Sequence, residues 1–170
     1  MRRSLPLLGA VLACALLLAP NAEAAVPQAT MRGARAIAPP SAPPSVKAMI
    51  AAANRIRHRP YRWGGGHRRW NSRGYDCSGS VSYVLHAGGL LDWPLDSTGF
   101  MRYGKGGGGQ WVRIYANHEH VFAVIAGLRW DTSYITDGDR SGPGWSEQMR
   151  PTGGFRLRHP LGVAGAVPNG

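Results

Sequence analysis

The sequence predicts an α+β domain in which helices pack on one face of a small antiparallel sheet. Two stretches with helical spacing come first along the chain, one after Ser45 and one after Asp76. Runs rich in β-branched and aromatic residues follow from Gln110 onward, and a glycine interrupts the longest of them. Helices followed by hairpin-connected strands are typical of the α+β class.

Apolar side chains at helical spacing predict the first helix. Ser45 follows two prolines and is placed as the N-cap, and Pro60 lies just beyond the helix end. The apolar positions of this amphipathic helix are Val46, Met49, Ile50, Ala53 and Ile56.

The second helix is predicted to start near Cys77. Val81, Val84 and Leu85 fall on one face of it, and the Gly88-Gly89 pair is placed as its stop.

Residues 90–110 are predicted as a loop, and the strands follow it. The "GKGGGGQ" run in this loop is not a phosphate loop, because no Lys-Ser or Lys-Thr pair closes it. The runs "QWVRIY" and "HVFAVIAGLRWDTS" are predicted strands, the second of which turns back at Gly127 as a hairpin. "GFRLRH" is the last candidate strand.

The N-terminal 24 residues have the features of a secretory signal peptide. Arg2 and Arg3 precede an apolar run from Leu5 to Leu18, and "NAEAA" supplies small residues for cleavage. Cys14 weakly resembles a lipoprotein cleavage site, but the apolar residues after it argue against lipidation. The run is too short for a membrane span, so we expect a secreted protein of the cell wall or extracellular space.

The remaining chain divides into three parts. Residues 25–44 are rich in Ala and Pro and are predicted to form an extended linker. Residues 45–162 are enough for one domain with a modest core. Residues 163–170 are predicted to form a flexible tail.

The chain carries a formal charge of +11, from 20 basic and 9 acidic side chains. Such a charge favours anionic partners. For an exported protein these are anionic wall polymers or lipid headgroups rather than nucleic acid. A composition biased toward arginine by GC-rich codons explains the same charge without any partner.

Cys77 is the one cysteine beyond the predicted signal peptide, so an internal disulfide is the least favoured interpretation of it. A buried inert thiol, a metal ligand and a nucleophile remain. The start of a helix favours a thiolate, because backbone N–H groups and the helix dipole stabilise negative charge there. The same groups can stabilise an oxyanion, which favours the nucleophile.

A thiolate nucleophile needs a histidine base and a group that orients it. His118 and His120 flank Glu119 at the entrance of the apolar strand and share a face, so the sequence barely separates them. A tight turn at Gly127 would return Asp131 to the neighbourhood of His120. The histidines more easily explained as solvated or capping are His58, His67, His86 and His159.

A metal hydrolase is a second enzyme interpretation, because His118, His120 and one of three aspartates could supply ligands. No HExxH motif is present, and a zinc site would leave Cys77 unexplained. The aspartates are Asp131, Asp137 and Asp139.

The segments "PYRWGGG", "GYDCSGSVSYVL" and "HVFAVIAG" together resemble the NlpC family of cell-wall cysteine peptidases. The hallmarks are a P-Y-x-W-G-G turn, a D-C-S-G motif that opens a helix, and an H-V strand. The resemblance covers about residues 46–135. The resemblance implies a papain-like α+β fold and hydrolysis of amide bonds in the stem peptides of peptidoglycan, with no cofactor.

The resemblance also implies residue roles. Cys77 would be the nucleophile, His120 the base and then the acid, and Asp131 the orienting residue, with Thr132 as its competitor. The family commonly has another histidine or a polar amide at the orienting position, so an aspartate is a departure. The implied substrate-binding residues are Tyr61, Asp76 and Ser78, and Ser97 resembles a serine that the family often has after the second helix.

Two further positions depart from the family pattern. Ser80 stands where a larger apolar residue is usual, and the chain lacks the family's P-G-D-L segment before the histidine strand. Neither removes a catalytic group.

The sequence therefore predicts a secreted, monomeric cysteine peptidase that acts on peptidoglycan peptides. A basic wall-binding module with a weak site is the alternative outside the enzymes, since six tryptophans could stack on sugars. Acyl transfer is an alternative on the same fold, because an amine can replace water as the acceptor.

Overall fold

The computed structural model describes residues 26–136 and 139–163. The predicted signal peptide and most of the predicted tail therefore lie outside the described residues. The helices are α1 (Pro44–Ile56), α2 (Cys77–Ala87) and the short α3 (Ser97–Phe100). The strands are β1 (Thr30–Arg32), β2 (Arg35–Ile37), β3 (Lys105–Gly106), β4 (Val112–Ala116), β5 (Val121–Ile125), β6 (Leu128–Asp131), β7 (Gly144–Ser146) and β8 (Arg156–His159).

In the described part of the chain, β3 to β8 form one sheet in the order β3-β8-β4-β5-β6-β7, with antiparallel pairing throughout. Helices α1 and α2 pack against each other, and α2 also contacts β5 and β6. All five residues of β5 are buried, so this strand lies at the centre of the core. The predicted α+β class, with helices on a small antiparallel sheet, is confirmed.

Both long helices form where the spacing predicts them. The apolar positions predicted for α1 are all buried, and α2 ends at Gly88 as expected. The predicted N-cap is wrong: α1 begins at Pro44, one residue before Ser45, and no side chain caps it. Proline suits the first helical turn because its φ is already helical and the N–H that it lacks would have no partner there.

The predicted linker contains a folded hairpin. Strands β1 and β2 pair antiparallel, and Ala36 is 1% exposed. The Asn54 side chain on α1 accepts a hydrogen bond from the Ala36 N–H (3.1 Å) and donates to the Ala36 carbonyl (2.8 Å). The extended-linker prediction is therefore wrong for these residues. Strands of three residues are too short to show alternation, and the hairpin is held by a residue distant in sequence.

Three further differences concern short elements. Helix α3 and strand β3 lie in the segment predicted as loop, and β7 had no sequence prediction. Val163, placed at the start of the tail, is 7% exposed and belongs to the core.

The β5–β6 hairpin turns at Gly127 as predicted, with φ of 86° there.

Candidate active site

The nucleophile candidate lies at the first residue of α2. Asp76 is the N-cap, and its Oδ1 accepts a 2.7 Å hydrogen bond from the Gly79 N–H. Cys77 is 7% exposed, and its Sγ lies 3.7 Å from Ser97 Oγ. Ser78 and Gly79, which follow Cys77 in the D-C-S-G motif, are small and leave the start of the helix uncrowded.

Close backbone packing explains the glycines of both motifs. A Cβ on Gly79 would lie 1.9 Å from the Gly65 carbonyl oxygen, and one on Gly65 would lie 2.3 Å from the Gly74 oxygen. The Asp76 N–H donates to the Gly65 carbonyl (3.2 Å), so the glycine-rich turn is bonded directly to the start of α2. Side chains at these positions would push the turn away from Cys77.

His120, rather than His118, lies beside the thiol. Burial alone would lower the pKa of His120, but hydrogen bonds with Asp131 and Cys77 raise it to about 9. The His120 Nε2–H donates to Asp131 Oδ1 at 2.8 Å, so Nδ1 is the ring nitrogen left for Cys77. The Asn117 side chain accepts hydrogen bonds from the backbone N–H groups of Glu119 (2.9 Å) and His120 (2.8 Å), which fixes the chain before β5.

The thiol is correspondingly acidified. Burial opposes ionisation of Cys77, but the hydrogen bond and charge of His120, with smaller contributions from Ser97 and the Val121 backbone, lower its pKa. A lowered thiol pKa beside a raised imidazole pKa is the signature of a thiolate–imidazolium pair. Because the two groups interact strongly, they titrate as a pair.

Asp131 is fully buried and orients His120. Its Oδ1 also accepts from the Ser133 N–H (3.0 Å), and its Oδ2 lies 3.2 Å from Arg150 Nη1 and 3.9 Å from Arg129 Nη1. Burial raises the pKa of Asp131, but the hydrogen bond and charge of His120 and the charge of Arg150 lower it, so the carboxyl is ionised.

Thr132, the competing candidate, lines the cavity beside His120 but makes no hydrogen bond to it. Its Oγ1 is buried and forms no hydrogen bond in the described residues. The pairing of Ala123 with Trp130 sets Asp131 opposite Phe122, which lies on the same face as His120. The next residue along the strand faces the other way, so the carboxylate rather than the hydroxyl reaches His120. The two arginines at Asp131 gave no sequence signal, since arginine is common throughout this chain.

A cleft of about 560 Å³ opens over the thiol. Ser97 forms part of its wall, and His118 lies exposed on its rim. Its lining residues are Trp63, Gly64, His67, Asp76, Cys77, Ser78, Asp96, Ser97, Thr98, His118, Glu119 and Arg140.

The predicted substrate-binding residues divide between two cavities. Asp76 and Ser78 line the cleft over Cys77. Tyr61 lines a neighbouring cavity of about 260 Å³ together with His120 and Arg150. Burial and the negative charge of Cys77 raise the pKa of the Tyr61 hydroxyl, and the Arg140 guanidinium lies 5.6 Å from the centre of its ring.

The sequence indicated that His67 is a solvated or capping residue, but the structure places it in the cleft. Its Nε2 lies 3.0 Å from Asp76 Oδ1 and 3.1 Å from Ser78 Oγ. The glycine-rich turn that carries it was recognised, but nothing in the spacing indicated that the turn folds back over Asp76.

Neither a membrane-spanning helix nor a metal-binding cluster is found among the described residues. Within residues 26–136 and 139–163, no helix has the length and apolar character to cross a membrane. Across the same ranges, no three His, Cys, Asp or Glu side chains gather in a way that could hold a metal ion.

Solved structures match the fold of this chain, whereas no protein-family model and no curated protein matches it. The peptidoglycan hydrolase RipB of Mycobacterium tuberculosis is 23% identical with a TM-score of 0.52, over 68% of this chain and 64% of that one. An NlpC/P60 family protein from Bacillus cereus is 20% identical with a TM-score of 0.52, over 77% and 44%. The chain has an NlpC/P60-type fold.

The P60 domain of the antigen MAP1204 from M. avium subspecies paratuberculosis gives the same fold. It is 22% identical with a TM-score of 0.50, over 67% of this chain and 93% of that one. By contrast, the chain spans less than two thirds of the RipB and Bacillus cereus structures. The family resemblance predicted from the motifs is thereby confirmed at the level of the NlpC/P60-type fold.

Proposed function

We propose that this chain is a secreted cysteine peptidase that hydrolyses amide bonds in peptidoglycan stem peptides, with Cys77, His120 and Asp131 as its catalytic residues. The observation that carries the proposal is the hydrogen bond of His120 to the fully buried Asp131, beside a thiol at the start of α2. The NlpC/P60-type fold supports peptidoglycan as the substrate, since RipB is a peptidoglycan hydrolase with this fold.

The first step uses the thiolate. Cys77 Sγ attacks the carbonyl carbon of the amide, a C–S bond forms, and the carbonyl π electrons move onto oxygen. The backbone N–H groups of Cys77 and Ser78 have no acceptor among the described residues, so they can donate to this oxyanion.

The second step needs an acid. When the C–N bond breaks, His120 gives its Nδ1 proton to the leaving amine, and Asp131 keeps the ring in position through Nε2–H. His120, now neutral, takes a proton from water, which attacks the thioester and releases the acid product. The thiolate and the imidazolium are then restored.

Mass spectrometry of fragments released from purified peptidoglycan tests this proposal. New peptide ends are expected from the mature protein and not from Cys77→Ala, and their masses identify the bond that is cut. Equal release by both proteins would refute a thiol mechanism. Binding of both proteins without release from several wall types would favour the wall-binding alternative, and products extended by an added amine would favour acyl transfer.

We also propose that the protein, acting as a monomer, binds anionic wall polymers. Four exposed arginines line a groove of about 470 Å³ that shares Trp63 and Gly64 with the cleft. No acidic residue occurs from position 55 to position 75. Charge of one sign attracts a polyanion and is screened by salt, so wall binding should weaken as ionic strength rises. The groove arginines are Arg62, Arg68, Arg69 and Arg73.

A further inference from the structure

His67 is a wall residue of the cleft that holds Cys77. Its side chain is 26% exposed and extends from the glycine-rich turn, beside the N-terminus of α2. Its Nε2 lies 3.0 and 3.1 Å from the two carboxylate oxygens of Asp76 and 3.1 Å from Ser78 Oγ. His67 Nε2 therefore lies within hydrogen-bond distance of both Asp76 and Ser78, the two residues in this cleft to which the family resemblance assigns substrate binding.

The protein itself uses the acceptor capacity of Asp76. Its Oδ1 accepts from the Gly79 N–H (2.7 Å) and the Ser78 hydroxyl (3.3 Å), and its Oδ2 accepts from the Gly64 N–H (2.9 Å). With His67 added to these, little capacity is left for a donor on the substrate. On this wall Asp76 supports the helix and the turn, and His67 is the polar group that the cleft presents.

The second nitrogen of the ring is differently placed. His67 Nδ1 forms no hydrogen bond with any described residue. The hydrogen bond with Asp76 raises the pKa of His67 although partial burial opposes this, and the negative charges of Cys77 and Asp96 act in the same direction as Asp76. A protonated ring with Nε2–H directed at Asp76 has a cationic Nδ1–H donor to offer.

We infer that His67 is a substrate-binding residue, whose Nδ1–H donates to a carboxylate of the stem peptide beside the scissile bond. The inference rests on the proposed function and adds a substrate preference to it. The other charged groups that line the cleft are Asp96, whose Oδ1 already caps α3 by accepting from the Gly99 N–H, the exposed Glu119, and Arg140.

The test uses two synthetic stem peptides that differ only in carrying a free carboxylate or a carboxamide beside the scissile bond. We expect the mature protein to cleave the carboxylate peptide with about tenfold higher kcat/KM, since hydrogen bonds to charged groups are the stronger ones. His67→Gln keeps a neutral donor toward Asp76 but has no charge. In this variant, the ratio of kcat/KM for the carboxylate peptide to that for the carboxamide peptide should fall to about one.

His118→Gln is the matched control, because His118 lines the same cleft without a hydrogen bond to a described residue. It should keep the preference of the wild type. Equal loss of activity on both peptides in His67→Gln, or no preference in the wild type, would overturn the inference. Thermal unfolding of each variant shows whether the fold is retained.

Binding measured in a Cys77→Ala background separates this inference from the proposed function. The same preference for the carboxylate peptide should appear in Kd, and it should be lost when His67→Gln is added. If neither peptide is cleaved by the intact thiol, the proposed peptidase fails, and the Kd ratio still decides the role of His67.

Discussion

Replacing Asp131 by asparagine should narrow the pH range in which Cys77 is an active nucleophile. Asparagine has the shape of aspartate and keeps an oxygen for the His120 Nε2–H, but it removes the buried negative charge 2.8 Å from that nitrogen. A hydrogen bond to a charged partner contributes about 1.5–3 kcal/mol, against about 1 kcal/mol for a neutral one.

The difference sets the magnitude of the effect. At about 1.4 kcal/mol per pH unit, loss of the charge should lower the pKa of His120 by about 1 pH unit. The pKa is about 9 in the intact site, so the imidazolium of Asp131→Asn is lost at a lower pH. A weaker imidazolium also stabilises the thiolate less, so the pKa of Cys77 should rise. In the pH profile of activity, the acid limb should therefore move to higher pH and the alkaline limb to lower pH.

The assay is the pH dependence of kcat/KM for peptide cleavage, together with the rate of Cys77 alkylation by iodoacetamide. Asp92→Asn is the control, because it removes one exposed carboxylate of the same type. An alkaline limb at the same pH in Asp131→Asn and in the wild type would refute the assignment of Asp131 as the charge that supports His120. Thermal unfolding of Asp131→Asn measures the loss of stability that results when Arg150 no longer pairs with the Asp131 carboxylate.

Three other predictions concern the base, the turn and the chemical class of the site. His120→Ala should abolish cleavage while His118→Ala retains it, and the reverse result in fragment release would exchange their roles. Gly79→Ala should lower the free energy of unfolding by about 1–3 kcal/mol, because its Cβ would overlap the Gly65 carbonyl, whereas Gly153→Ala meets no atom within 4 Å and should be neutral in thermal unfolding. Thiol-alkylating reagents should abolish peptide cleavage and chelators should leave it unchanged; inactivation by a chelator would indicate a metal enzyme.

Much of the fold could be predicted because its main elements depend on local pattern. The buried face of α1 follows from helical spacing, and the β5–β6 hairpin follows from two apolar runs around Gly127. The β1–β2 hairpin was not predicted, because it depends on the buried amide of Asn54. That amide binds Ala36 in the hairpin and also accepts from the Trp145 indole N–H (3.1 Å), and both are remote in sequence.

The candidate site shows the same division. Cys77 stood out as a cysteine between an acid and small residues at a helix start, and this signal is local. The choice between His118 and His120 needed the structure, because residues two apart on a strand share a face. The catalytic roles of Cys77, His120 and Asp131 remain proposals that the variants above test.

By itself, the sequence determined the class of the fold, the position of the thiol at a helix N-terminus and the strand pair that carries His120 and Asp131. These follow from the periods of helix and strand and from the few residue types that start a helix or turn a hairpin. Tertiary structure alone decided that two arginines meet Asp131 and that His67 covers Asp76. Such contacts join segments distant in the chain, and no local spacing of residues encodes which of several arginines or histidines will arrive at a buried carboxylate.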